Sequence, residues 1–253
     1  MRLIRYIYKN DGPAYGWVLE DKVGKIDGDP FGKFSRLEAN LELEEVHLLT
    51  PVVPSKIICV GHNYLEHIKE RQVEKPSLPL LFLKPPSAIL NPGDPIILPT
   101  QSRQVDHEAE LVAVVGKQGR RIPAEQARDF IYGYTIGNDV TARDLQKVDN
   151  QWTRGKGFDT FCPFGPWIET AFDPADALIT CRVSGQLKQM GSTRDLIFPV
   201  DALVAYISSV MTLEPGDLIF TGTPAGIGPL VDGDVVEVEI EGVGKLVNPV
   251  KAE

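Results

Sequence analysis

Glu108 and Glu110 stand two residues apart in Asp106-His107-Glu108-Ala109-Glu110-Leu111-Val112-Ala113-Val114-Val115-Gly116, and from Leu111 on the run is apolar on both faces. Such a run reads as a buried strand, along which side chains alternate, so the two carboxylates point the same way. Like charges side by side at the head of a buried strand repel each other, and desolvation adds to the cost. A shared proton, a pair of basic side chains or a divalent cation would offset it. Asp139, near the end of strand-like residues 132–138, is a third carboxylate at an element boundary, although Asp at a strand end is commonly turn chemistry. Together the three supply hard oxygen ligands, and none of the four histidines is spaced for a zinc helix motif. The set favours Mg²⁺, or Mn²⁺ or Ca²⁺ by chemistry alone.

Other reactive side chains surround this set in the sequence. Residues 63–71 have helical character, and on a helix His67 and Glu70 share a face. A carboxylate beside an imidazole orients the ring and raises its basicity, as a general base requires, yet taken alone such a pair is commonly an ordinary surface pair. Residues 72–79 are polar and Pro-containing, so this piece reads as a mobile flap. One or two helical turns over residues 140–146 bring Arg143 and Gln146 onto one face. Residues 151–159 read as a glycine-flanked loop carrying Lys156. Three carboxylates over-neutralise a divalent ion by one unit, so an anionic substrate needs positive charge nearby, and Lys156 and Arg143 are placed to give it. The loop Thr221-Gly222-Thr223-Pro224-Ala225-Gly226-Ile227-Gly228-Pro229 lacks the Gly-Lys-Ser/Thr of a phosphate loop, but its amides and Thr223 can hold a carboxylate or oxyanion. No Gly-x-Ser-x-Gly elbow exists, which lowers a serine hydrolase.

The elements that must position these residues are mainly strands. A chain of 253 residues holds one large core, or a main domain with a small appendage. Residues 1–53 read as short strands broken by turns, a small N-terminal β subdomain, with Pro51-Val52-Val53-Pro54 as the stiff boundary to a main domain over 54–253. Residues 56–61, 80–84, 95–99, 179–186 and 236–241 also read as strands, and residues 199–211 as the one long amphipathic helix. A net charge of −9 and a pI near 5.0 argue against nucleic acid as the partner. Three cysteines without a CxxC fit a reducing cytoplasm, and neither a signal-peptide core nor a membrane-length apolar run is seen.

Several of these stretches carry a resemblance: residues 61–70, Phe82-Leu83-Lys84-Pro85, residues 107–111, residues 138–146 and residues 221–228. Together, and in this order, they resemble the fumarylacetoacetate hydrolase family over about residue 55 to the C-terminus. The likeness is close to its acylpyruvase and oxaloacetate decarboxylase branch and to its 2-hydroxyhepta-2,4-diene-1,7-dioate isomerase-like members. It implies a mixed, mostly β, rolled-sandwich fold with a few short helices, usually a homodimer. It also implies Glu108, Glu110 and Asp139 as Mg²⁺ ligands and His67 with Glu70 as a catalytic dyad on a lid helix. Lys156 matches the pocket lysine, and Arg143, Gln146 and Thr223 match substrate-contacting positions. His62 falls where members vary and receives no role.

The expected substrate is a small anionic 2-oxo acid handled through a metal-bound enolate. The first expectation is C–C hydrolysis of an acylpyruvate, with His67 activating water, or decarboxylation of an oxaloacetate-type acid. Isomerisation of an unsaturated 2-hydroxy dienoate is the alternative. A non-catalytic small-molecule binder on the same fold is the alternative of another class, but the full set of dyad and carboxylates speaks against it.

Overall fold

The strand Ala109–Val115 is buried at every position because it has packed neighbours on both faces. Leu111, Ala113 and Val115 enter one core cluster, while Val112 and Val114 enter another with Ile57, Phe164, Leu218 and Phe220. This is why the sequence there shows no polar alternation. The structure, a computed structural model, describes residues 1–253.

Around that strand a 12-stranded mixed sheet is built. On one side lie Leu218–Phe220, Ile57–Gly61 and the edge strand Leu80–Lys84. On the other lie Ile131–Asn138 and Cys162–Glu169, followed by the N-terminal strands Arg2–Tyr8, Ala14–Leu19, Lys22–Gly28 and Phe34–Glu42. The N-terminal strands are therefore hydrogen-bonded into the sheet, through Arg2 opposite Glu169 and Leu3 opposite Ile168. They keep a small cluster of their own, formed by Ile4, Tyr6, Val18, Val23 and Val46.

A second sheet of five strands packs on the first, in the order Gln186–Ser192, Leu178–Val183, Val235–Ile240, Gly244–Ala252, Ile96–Leu98. Ile179, Cys181, Val183, Val236, Val238 and Ile240 meet Leu111, Ala113 and Val115 between the sheets. The helix Val200–Val210 adds Val200, Leu203, Val204 and Ile207 to this core, as its spacing requires. The fold is thus mainly β with a few short helices.

One expectation needs correction. The segment carrying Lys156 is not an open loop: Thr153–Lys156 forms a helical turn. Its glycine serves close packing, since a Cβ on Gly155 would lie 3.0 Å from the backbone nitrogen of Gln146. The turn thereby seats on the helix Arg143–Val148 and turns Lys156 inward. The residues after Pro123 form a 3₁₀ segment, Ala124–Phe130.

The helix Leu65–Arg71 is tied to the body at its N-terminal end by Asn63. This fully buried side chain donates to the carbonyls of Phe198 (3.0 Å) and Thr221 (2.7 Å) and accepts from the Phe198 N–H (2.8 Å). Removing it strands several buried backbone groups at once, each costing about 1–3 kcal/mol. Asn63→Ala is expected to lower stability by about 3 kcal/mol in a denaturant titration. A loss under about 0.5 kcal/mol would contradict the anchoring role.

Candidate active site

Glu108 occupies the break between the short strand Val105–His107 and the long strand Ala109–Val115. The break is held from the neighbouring strand end: Glu108 N–H donates to Asn138 Oδ1 (2.8 Å), and Asp139 N–H donates to the Glu108 carbonyl (2.9 Å). These bonds bring Asp139 beside the two glutamates. Carboxylate oxygens of Glu108, Glu110 and Asp139 all lie within 4.8 Å of one another, and all three residues are buried.

Three buried cations face them. Lys156 Nζ donates to Glu108 Oε2 (2.9 Å) and Asp139 Oδ2 (2.5 Å), and Lys84 Nζ donates to Asp139 Oδ1 (2.5 Å). The Arg143 guanidinium donates to Glu108, to Asp106 (2.8 Å) and to the Gln146 side-chain oxygen (2.6 Å). Burial disfavours the charged form of Glu108, but Lys156 and Arg143 outweigh it and hold the carboxyl below its usual range. Glu110 differs, because no cation pairs with it and its partner is the Gly222 N–H (2.7 Å). Burial, with the charges of Asp139 and Glu108, pushes its pKa well above the usual carboxylate value.

Counting Asp106, four acidic groups meet three basic ones, so full ionisation would leave one excess negative charge, and it falls on Glu110, whose raised pKa resists it. A divalent cation fits this set: hard oxygen donors converge, and the least compensated carboxylate is among them. Glu108, Glu110 and Asp139 are the residues that would hold it.

Above the carboxylates lies the face of the helix Leu65–Arg71. His67 is buried there, its Nδ1 3.1 Å from Glu70 Oε2, while Glu70 Oε1 accepts from the Gly226 N–H (3.0 Å). Burial lowers the His67 pKa, with Glu108 and Glu70 pulling the other way, so its ring is neutral near pH 7. His62 stands in the left-handed region (φ 56°), its ring 5.6 Å from Trp152 and 6.2 Å from His67. Burial pushes its pKa down to about 4. Phe82 and Trp152 pack edge to face at 5.3 Å and form the apolar wall.

The sequence-predicted residues come together. His67, Glu108, Glu110, Asp139, Arg143, Gln146, Lys156 and Thr223 line one small cavity of about 20 Å³, and Glu70 stands behind His67. His62 also lines the cavity, while Lys84, Asp106 and Gln189 hydrogen-bond its lining residues Asp139, Arg143 and Thr223. Lys84 left a trace, as the lysine of Phe82-Leu83-Lys84-Pro85. Asp106 lay in the acidic stretch without a role, and Gln189 sits among exposed hairpin residues that hide it.

Comparison with known proteins identifies the family. The sequence model described as fumarylacetoacetate (FAA) hydrolase C-terminal matches residues 56–251. The chain belongs to the fumarylacetoacetate hydrolase family. A second model, described as Rv2993c-like, N-terminal, matches residues 1–51. Among family relatives, Protein Rv2993c of Mycobacterium tuberculosis is 51% identical, covering 99% of this chain and 98% of its own. The human oxaloacetate tautomerase FAHD2A, mitochondrial, is 44% identical over 83% of this chain and 71% of its own. A solved structure of 2-hydroxyhepta-2,4-diene-1,7-dioate isomerase from Mycobacterium marinum is 46% identical, with a TM-score of 0.92 over 100% of this chain and 99% of that one. The chain is an enzyme of this family. No helix is long and apolar enough to cross a membrane.

Glu110 is the least compensated of the three carboxylates. Titration calorimetry with Mn²⁺ or Mg²⁺ is expected to show a loss of at least about 100-fold in affinity for Glu110→Gln, as for loss of a charged ligand worth about 3 kcal/mol. The metal-free variant should melt no lower than the parent, because glutamine matches a carboxyl whose charged form is disfavoured there and can still accept from the Gly222 N–H. Undiminished metal affinity would refute Glu110 as a ligand.

Proposed function

We propose that this enzyme moves a proton at the carbon next to the keto group of a small 2-oxo diacid, a keto–enol or double-bond isomerisation of the oxaloacetate type. The observation that carries this reading is the His67–Glu70 pair held over a buried carboxylate cluster within one cavity. A divalent cation bound by Glu108, Glu110 and Asp139 would supply Lewis-acid charge that favours the enolate form of the acid.

The chain's own residues would do the rest. Glu70 accepts from the Nδ1–H of His67, which leaves Nε2 as the basic nitrogen that takes and returns the proton. Burial keeps that ring neutral and therefore competent as a base near pH 7. Lys156, charged and buried beside Glu108 and Asp139, offsets negative charge developing on the acid's oxygens. Phe82 and Trp152 exclude water from one side of the cavity.

The preference for a diacid rests on Arg71. It lies one helical turn beyond His67 on the same face of Leu65–Arg71, is half-buried, and forms no ion pair. Its guanidinium is near enough to feel the charges of Arg143, Glu108, Asp106 and Glu70. A second carboxylate on the substrate would give it a partner. Two relatives, named oxaloacetate tautomerases, bear the name of a diacid and of a proton transfer, which supports this reading over hydrolysis of an acylpyruvate.

The test is a turnover screen of oxaloacetate tautomerisation, oxaloacetate decarboxylation and acetylpyruvate hydrolysis, with Mg²⁺ and with EDTA. Tautomerisation is expected to be the fastest and to require the metal. His67→Ala should lower kcat by about 10²–10⁴-fold, the usual contribution of a positioned base. Arg71→Met should cost about 10–100-fold in kcat/KM for the diacid and spare a monoacid. The wild-type rate should fall with decreasing pH through a value below 6.5, as the lowered His67 pKa requires for a base active when neutral. Full activity of His67→Ala would remove the base from this account.

A further inference from the structure

Gln189 belongs to the second sheet, in the strand Gln186–Ser192, and is fully buried although its neighbours Lys188 and Met190 are exposed. Its side-chain amide is saturated. Oε1 accepts from the Ala109 N–H (3.0 Å) and from His107 Nδ1 (3.0 Å), while Nε2 donates to the Pro224 carbonyl (2.8 Å) and to Thr223 Oγ1 (2.8 Å).

The two backbone partners settle which way the amide faces, because an N–H can only donate and a carbonyl can only accept. Two consequences follow. His107 carries its proton on Nδ1. The Thr223 hydroxyl must accept from Gln189, so its own hydrogen is free to be given elsewhere. That hydroxyl makes no second hydrogen bond, and Thr223 lines the cavity with His67 and the three carboxylates.

We infer that Gln189 fixes the Thr223 hydroxyl as a hydrogen-bond donor to the bound acid, acting as a positioning residue from the opposite sheet. A threonine hydroxyl can ordinarily donate or accept as its surroundings dictate. Here one lone pair is taken by an amide whose orientation cannot reverse, so the proton stays available to an anionic oxygen. The polarity suits a carboxylate or an enolate oxygen and disfavours a ligand that offers only donors at that point. The inference rests on the 2-oxo acid reading given above.

Gln189 also holds the Ala109 N–H, between Glu108 and Glu110, so its role toward Thr223 must be separated from support of the carboxylates. Gln189→Glu does this. A carboxylate still accepts from Ala109 and His107 but cannot donate to Thr223, whose hydroxyl would then give its proton to the new carboxylate and away from the cavity.

The experiment is titration calorimetry of the Mg²⁺-loaded full chain with oxalate, a non-reacting dianion with the oxygens of a 2-oxo acid. Mg²⁺ affinity is measured separately for each variant. Thr223→Val and Gln189→Glu are each expected to weaken oxalate by about tenfold or more, as loss of one charge-assisted hydrogen bond does. The double variant should bind no more weakly than Thr223→Val alone, and Mg²⁺ affinity should stay within about threefold of the parent, since no proposed ligand is altered. Thr223→Ser, which keeps the hydroxyl, should bind oxalate like the parent, and this arm holds even if Gln189→Glu does not fold. Multiplying losses in the double variant, Mg²⁺ weakened as much as oxalate, or full binding by Thr223→Val would overturn the inference. A wild-type protein that binds Mg²⁺ but not oxalate would overturn the 2-oxo acid reading, and the inference with it.

Discussion

Buried charge that does not balance is the constraint on which the site depends. Asp106, Glu108, Glu110 and Asp139 are removed from water together with Lys84, Arg143 and Lys156, and full ionisation would leave one negative charge too many. Each pair within the set is tolerable, because buried ions with good hydrogen bonds offset much of their desolvation cost. An ionised Glu110 has no side chain to offset it, only the Gly222 amide, and its pKa is raised accordingly. A divalent cation turns the excess of one negative charge into an excess of one positive charge, and an anionic substrate then restores balance. The same electrostatics that make the cation welcome also make an anion welcome after it.

From the site's point of view, the two large packed sheets serve to bring several chain segments to one point. The break at Glu108 lets the chain pass from the short strand Val105–His107 into the central strand of the large sheet, and Asn138 pins that break. The helical turn at Thr153–Lys156 approaches the helix Arg143–Val148 closely because Gly155 has no side chain, and this aims Lys156 at the carboxylates. The second sheet reaches in through Gln189. The helix Leu65–Arg71 closes the top, held at its start by Asn63 and at Glu70 by the Gly226 amide. Glu70 thus links the seating of the helix to the orientation of His67.

Much of this was legible in the sequence because the decisive residues are chemically out of place. Two glutamates heading an apolar strand demand a shared proton, basic partners or a cation, whereas an aspartate at the end of another strand, commonly turn chemistry, gains weight only beside them. Arg143 and Gln146 were found by helical spacing, and the helix 200–210 by its apolar periodicity. What stayed hidden was hidden for physical reasons. Lys84 ends an edge strand before Pro85-Pro86, where a solvated lysine is ordinary, and only its burial reveals the pair with Asp139. Gln189 lies in a hairpin strand that is otherwise largely exposed. Gly155 and Gly157 suggested a loop around Lys156, since glycine disfavours helix, whereas Gly155 is there to allow close packing. Long-range contacts of this kind leave no local periodicity to read.

Proton exchange at carbon 3 of a 2-oxo acid tests the central claim most directly, because every reaction considered for this site passes through an enolate. Proton NMR of pyruvate in D₂O, with the protein and Mg²⁺, would follow the methyl signal over time. The account predicts its accelerated loss with metal-loaded protein, a return to the background rate with EDTA, and the background rate again with His67→Ala. Unaccelerated exchange of both pyruvate and oxaloacetate by the metal-loaded protein would contradict it.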